Sequence, residues 1–309
     1  MKNSRKPINH LDLFSGIGGF SLGLHRAGVY AKWIGYSDID KNCNQVFKRR
    51  FPNAEELGSI TDIRADELPE IDLVTFGFPC QDLSVANINR KGLKGGRSSL
   101  FFEATRIIRD KKPKYFICEN VRGLFSSNKG EDFIIVLQEF ADIGYDVQWE
   151  LLNTKCEGGL PQNRERIYIV GHLRGESRPQ VFPLGKSEFK NNGIQGQYTN
   201  ALKEGYQKVQ CGSYIIEGKQ YEKEIIADWR SDEGLRIRKN GISPTLTLAT
   251  PPYIINGDIR KITPVEAARL QGFPDDWNDC QSDSQRYKQF GNAITVNLAE
   301  SIFRKLYEE

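Results

Sequence analysis

Histidine is scarce in this sequence: His10, His25 and His172 are the only three among 309 residues. A Ser-His-Asp hydrolase or a histidine-rich metal centre therefore has little to build from. The six cysteines (Cys43, Cys80, Cys118, Cys156, Cys211 and Cys280) are scattered without a CxxC pair. That spacing argues against a disulfide framework and a thiolate zinc site, and no metal is expected. No apolar run approaches the roughly 20 residues of a membrane span, and the opening MKNSRKPINH lacks the apolar core of a signal peptide. A cytoplasmic location with no membrane partner is expected. A net charge of +3 permits a nucleic-acid partner without requiring one. The length suffices for one large domain, or a large one with a small companion.

What is present is alternation. Between residues 8 and 172 short apolar runs (INHLDLF, KWIGYSD, IDLVTFGF, KYFICEN, RIYIVGH) take turns with amphipathic, helix-like stretches. This predicts an α/β fold built on a doubly wound, mostly parallel sheet covered on both faces. From 173 to 255 the texture becomes polar and glycine- and asparagine-bearing, as in NNGIQGQYTN, with few long apolar runs, which predicts a smaller irregular domain. The expected division is therefore 1–172 plus 256–309 for the larger domain and 173–255 for the smaller. Ile294, Leu298, Ile302 and Leu306 recur every four residues, as on one face of a final helix.

The sharpest motifs fall where strands of such a sheet end, the edge at which ligands of doubly wound folds bind. After INHLDLF comes SGIGG, a glycine turn at the mouth of a helix that permits close approach of backbone to ligand. Its spacing, GxGG, differs from the GxGxxG of dinucleotide sites. The next strand ends in YSDID, placing Asp38 or Asp40 where a carboxylate can take a ribose hydroxyl pair. IDLVTFGF runs into Pro79-Cys80-Gln81. A lone cysteine is usually buried and inert, but the nearby stretch LSVANINRKGLKGGRSSLFF carries Arg90, Lys91, Lys94 and Arg97 without a single acid. Those charges would favour thiolate and attract phosphate. KYFICEN delivers Glu119 and Asn120 to the same edge, with Glu119 a proton donor or a substrate holder unless it merely caps a helix. In PQNRERIY, Gln162, Arg164 and Arg166 alternate into a strand, which would point all three from one face.

In order and spacing, DLFSGIGG, GFPCQ, ENV, PQNRERIY, RKITPVEAARLQGFPDDW and QFGNAITVN resemble the motifs of the C5-cytosine DNA methyltransferase family of bacterial or phage modification type. The resemblance covers 8–172 and 256–309. It implies an S-adenosylmethionine-dependent, Rossmann-like methyltransferase. Phe14, Gly16, Gly18, Gly19, Asp38, Ile39, Ile60, Pro79, Leu100, Asn292 and Ala293 would hold the cofactor, with Asp38 at its ribose and Ile39 against adenine. Ser59 stands where the family commonly has an adenine-binding aspartate. Cys80 would attack C6 of a flipped-out cytosine, Glu119 would serve its N3 edge, and Arg164 would hold the base carbonyl with Arg166 assisting. Gln81, Ser84, the four cations from Arg90 to Arg97, Asn120 and Gln162 would meet the DNA, and Thr245 and Thr247 of SPTLTLAT would brace the flipped base. The implied partner is double-stranded DNA met by a monomer, with a restriction endonuclease as functional companion. A tRNA cytosine-5 methyltransferase shares these motifs, and a non-catalytic DNA-binding relative shares the fold. The region 173–255 would recognise the target.

Overall fold

The computed structural model describes residues 6–79, 99–185, 225–230, 234–238, 253–256 and 258–308. The chain folds into two compact units: Met1–Leu152 with Glu165–Leu184 and Leu298–Glu309, and Asn153–Arg164 with Gly185–Asn297.

The first unit is built on a seven-stranded sheet. Its strands are β1 (Ile8–Leu13), β2 (Ala31–Ser37), β3 (Glu55–Glu56), β4 (Leu73–Phe76), β5 (Tyr115–Val121), β6 (Tyr145–Asn153) and β7 (Glu165–Leu173), in the order β3-β2-β1-β4-β5-β7-β6. The five strands from β3 to β5 pair in parallel, and β7 runs antiparallel to β5. This is the doubly wound, mostly parallel sheet expected from the alternation. The central strands are buried along their whole length, as INHLDL and LVTF are, because helices cover both faces and leave no solvent side for polar residues to occupy.

The helices of this unit are α1 (Gly19–Arg26), α2 (Lys41–Arg50), α3 (Ser99–Lys111), α4 (Glu131–Asp142) and, by its larger part, the last helix. Phe101 of α3 and Phe140 of α4 meet Phe76 and Phe116 of the sheet in an aromatic core, with ring centroids 4.3 Å apart for Phe116 and Phe140 and 5.6 Å for Phe101 and Phe140. Each such pair adds about 0.5–1.5 kcal/mol beyond its burial. Gly23 lets α1 approach the last helix: a Cβ there would stand 2.7 Å from the Cβ of Ala299. Edge strand β6 is covered by the chain after β7. The Gln148 side chain accepts from the backbone N–H of Val181 and Phe182, and Glu150 from that of Leu184.

The second unit holds a four-stranded antiparallel sheet of β8 (Ile225–Arg230), β9 (Gly234–Arg238), β10 (Tyr253–Asn256) and β11 (Asp258–Lys261), in the order β11-β10-β8-β9. Sequence texture suggested irregularity in 173–255, yet three of these strands lie there. They are four to six residues long, too short for an alternating pattern to stand out. The hairpin β10–β11 crosses position 256, and Asn256-Gly257 is a strong hairpin signal. Beyond it come α5 (Pro264–Leu270) and α6 (Asp283–Asn292). Helix α5 opens with a capping box between Thr263 and Glu266. The last helix, α7 (Val296–Tyr307), begins here and passes into the first unit. No helix among the described residues is long and apolar enough to cross a membrane.

Candidate active site

The SGIGG turn leaves β1 with unusual backbone. Phe14, Gly16 and Gly18 have φ of 52°, 53° and 83°. Left-handed backbone at a non-glycine residue such as Phe14 costs about 1–3 kcal/mol, a strain that gathers at ligand sites. A Cβ on Gly16 would meet nothing within 4 Å, so its hydrogen surface faces open space, whereas one on Gly18 would stand 2.9 Å from the Phe51 ring. The turn is fastened to the end of β2: the Gly16 N–H donates to Asp38 Oδ2 at 2.8 Å, and the Asp40 N–H to Asp38 Oδ1 at 2.8 Å.

Asp38 and Asp40, equivalent candidates by spacing, have separate tasks. Asp40 accepts from the Asn42 N–H and caps α2. Asp38 sits at the glycine turn, half-buried, and burial raises its pKa above the usual carboxylate range. Its carboxylate accepts backbone hydrogen bonds from Gly16, Ile39 and Asp40, and two carboxylate oxygens still have acceptor capacity for a hydroxyl pair. Ile39 is 82% exposed, an apolar surface left open beside that carboxylate. These features fit an adenosine-type cofactor. Ile60 instead lies in the core, Leu100 packs against it half-buried, and Ser59 caps the short helical turn Ile60–Asp62.

Beneath the turn lies a polar chain that sequence inspection missed. Asp12, near the end of β1, is fully buried and accepts from Ser21 Oγ at 2.8 Å and Thr75 Oγ1 at 2.9 Å. His10 Nε2 lies 2.7 Å from the same Thr75 oxygen. Burial pushes Asp12 up to about 7 and His10 down to about 3. The signal was available as two polar residues, two apart, inside a strand buried on both faces.

Strand β4 leads to Phe78, buried, and Pro79, half-buried. Cys80 lies outside the described residues, as do Gln81, Ser84, Arg90, Lys91, Lys94, Arg97, Thr245 and Thr247. Three residues before Cys80 in the chain, Gly77 is described. A Cβ there would lie 3.2 Å from Glu119 Oε2, so glycine admits the carboxylate three residues ahead of Cys80. Glu119, on β5, pairs with Arg166 of β7 at 3.0 Å, their side chains 12% and 15% exposed. Register places Val121 opposite Arg166 and Glu119 opposite Tyr168. Asn120 is buried, its Oδ1 accepting from the Val121 N–H.

The three alternating residues of PQNRERIY do not share one setting. Strand β7 begins at Glu165, because residues before it turn locally: Gln162 N–H donates to Leu160 O and Arg164 N–H to Gln162 O. Arg166 therefore belongs to the ladder, while Gln162 and Arg164 are buried in the second unit. Arg164 spends two guanidinium N–H groups on the carbonyls of Gly291 and Ala293, which flank Asn292 at the end of α6. Asn292 is exposed and Ala293 half-buried.

Residues 8–308 match the family described as C-5 cytosine-specific DNA methylase. The chain belongs to that family. Among curated relatives it is 34% identical to the Type II methyltransferase M.NlaX of Neisseria lactamica, over 96% of this chain and 95% of that one. It is 36% identical to M1.ScrFI of Lactococcus lactis subsp. cremoris, over 96% and 77%, and 31% identical to M.HhaI of Haemophilus parahaemolyticus, over 96% and 93%. Two solved structures share the fold. Entamoeba histolytica methyltransferase EhMeth has a TM-score of 0.67 at 17% identity, covering 98% of this chain and 99% of its own. A DNA modification methyltransferase encoded within an E. coli prophage has 0.63 at 22%, covering 97% and 98%. Within this methylase, DLFSGIGG is the turn held by Asp38, and ENV carries the carboxylate that meets Arg166 beside the strand entering GFPC.

Proposed function

We propose that this methylase transfers a methyl group to C5 of a flipped-out cytosine in a specific double-stranded DNA site, through a covalent bond to Cys80. The observation that carries the reading is the Glu119–Arg166 pair at 3.0 Å, lodged against Gly77 three residues before the cysteine. Cytosine C5 is a poor nucleophile. When the Cys80 thiolate forms a bond to C6, the C5–C6 π electrons pass into the ring and build charge towards N3 and at C5. Glu119 holds the N3 edge and supplies a proton there as that charge develops. Arg166 pairs with Glu119 and would take the base carbonyl, a role moved from Arg164 because two N–H groups of Arg164 go to the carbonyls of Gly291 and Ala293. After methylation the C5 proton leaves to a base, the Cys80–C6 bond breaks, and the C5–C6 double bond and thiolate return.

The fit at the glycine turn supports S-adenosylmethionine, which when bound supplies an electrophilic methyl group. Phe14, Gly16, Gly18 and Gly19 would form its cradle, Asp38 would take its ribose and Ile39 its adenine. Pro79 and Leu100 would flank it, Ile60 would back it from the core, and Asn292 and Ala293 would add the contacts the family likeness implies. Because a stacked base cannot present C6 to a thiol, the cytosine leaves the helix, which costs a few kcal/mol. The basic segment 83–99 would close on phosphates, and 173–255, with Thr245 and Thr247, would read the target. A monomer working in the cytoplasm alongside a restriction endonuclease is the expected setting.

Labelled S-adenosylmethionine, offered with unmethylated DNA and with tRNA, tests the substrate; bisulfite sequencing locates the product. Methylation at one short DNA motif is expected, and none with Cys80→Ser. DNA carrying 5-fluorocytosine should trap a covalent complex through Cys80. Efficient methylation without a trap would refute the mechanism, and labelling of tRNA alone would refute the substrate.

A further inference from the structure

We infer that Arg164 is a positioning residue: its guanidinium anchors the turn between α6 and α7. The inference rests on the proposed placing of Asn292 and Ala293 at the cofactor. Arg164 is 2% exposed and heads the fully buried side chains by size. Its Nη1 donates to Gly291 O at 3.0 Å and its Nη2 to Ala293 O at 2.7 Å. The last carbonyls of a helix lack partners within the helix, and a cation there also complements the helix dipole. One planar fork meets the acceptors on either side of Asn292, a geometry a lysine ammonium cannot reproduce. Burying a guanidinium is costly unless its donors are satisfied, so the two carbonyls hold Arg164 as firmly as it holds them.

Neighbouring bonds draw on the same segment. Thr154 N–H donates to Arg164 O, Thr154 Oγ1 lies 2.7 Å from Thr295 Oγ1, and Asn297 Nδ2 donates to Gly158 O at 2.9 Å. Thr295 in turn donates to Gln271 Oε1, and the Val296 N–H to Gln271 O. Residues 154–164 and the turn 291–297 thus form one hydrogen-bonded body.

Arg164→Lys and Arg164→Met test this in the full-length protein, with Thr154→Val as a milder probe of the same anchor. Three readouts apply: S-adenosylmethionine affinity by calorimetry without DNA, amide exchange over 289–297 in the protein alone, and covalent trapping on 5-fluorocytosine DNA at saturating cofactor. Cofactor affinity should fall at least tenfold in both Arg164 variants and about threefold in Thr154→Val. Exchange over 289–297 should quicken in all three, and trapping at saturating cofactor should stay within twofold of the unmodified protein. Unchanged affinity and exchange with lost trapping would overturn the inference and return Arg164 to the base. If the Arg164 variants do not fold, unaltered exchange and affinity in Thr154→Val would overturn it as well. Failure of the unmodified protein to trap fluorinated DNA would instead strike the proposed reaction, because affinity and exchange are read without DNA.

Discussion

Asp12→Asn should change how stability responds to pH far more than it changes stability itself. Asp12 is fully buried, hydrogen-bonded by Ser21 and Thr75, with His10 beyond Thr75 and the Asp38 carboxylate adding repulsion. Its folded pKa is about 7 against an ordinary 3.8. Between those values the folded chain binds more protons than the unfolded one, so stability falls as pH rises through the window and levels off above it. A difference of about three pH units at ~1.36 kcal/mol each is worth roughly 4 kcal/mol in full, of which about 2.5 kcal/mol falls between pH 5 and pH 8. His10, lowered to about 3, pulls the other way: its stabilisation grows as pH rises through about 3 to 6.5. That contribution is common to both proteins and cancels in their difference. An asparagine keeps the shape and turns its amide to the two hydroxyls. Urea denaturation at half-unit steps from pH 5 to pH 8 should show the variant gaining on the unmodified protein by about 2.5 kcal/mol, with the gain ending above pH 7.5. Parallel curves would refute a buried, proton-binding Asp12.

Gly18→Ala places a methyl at φ of 83° and 2.9 Å from the Phe51 ring; it should cost about 1–2 kcal/mol in backbone alone and weaken S-adenosylmethionine binding, measured by calorimetry, by tenfold or more. Unaltered affinity would remove the turn from the cofactor site. Thr263→Ala deletes one side of the α5 capping box and should cost about 1 kcal/mol, read as a fall of about 2 °C in thermal midpoint, with kcat unchanged. Glu119→Gln keeps the size but loses the proton and the pairing with Arg166. It should lower kcat by about 10²–10⁴ while DNA affinity by gel shift holds, and a loss below tenfold would show that another group serves N3.

Strands legible in the sequence were those buried on both faces: LVTF is a continuous apolar run, and INHLDL, although it carries Asn9, His10 and Asp12, is marked by the GxGG turn that follows it. Spacing also put Glu119 near the end of β5, where its carboxylate lies against Gly77. It could not choose between Asp38 and Asp40, because the choice depends on which carboxylate caps α2. Nor could it find the short strands of the second unit, where Ile225–Arg230 and Gly234–Arg238 are separated by only three residues.

The arginines of PQNRERIY show why. Alternation predicts a shared face only if the whole run is extended, and that condition is set by hydrogen bonds to residues far away in sequence. Here the ladder with β5 starts at Glu165, and the chain before it curls back on Leu160 and Gln162. A single residue of strand length therefore separates Arg166, paired with a carboxylate at the sheet edge, from Arg164, buried on two carbonyls. Two arginines of one motif can be of one chemical type and do different work, and burial distinguishes them. The partly exposed one can still meet a substrate, whereas the buried one gives two of its guanidinium N–H groups to backbone carbonyls and is suited to holding that backbone still.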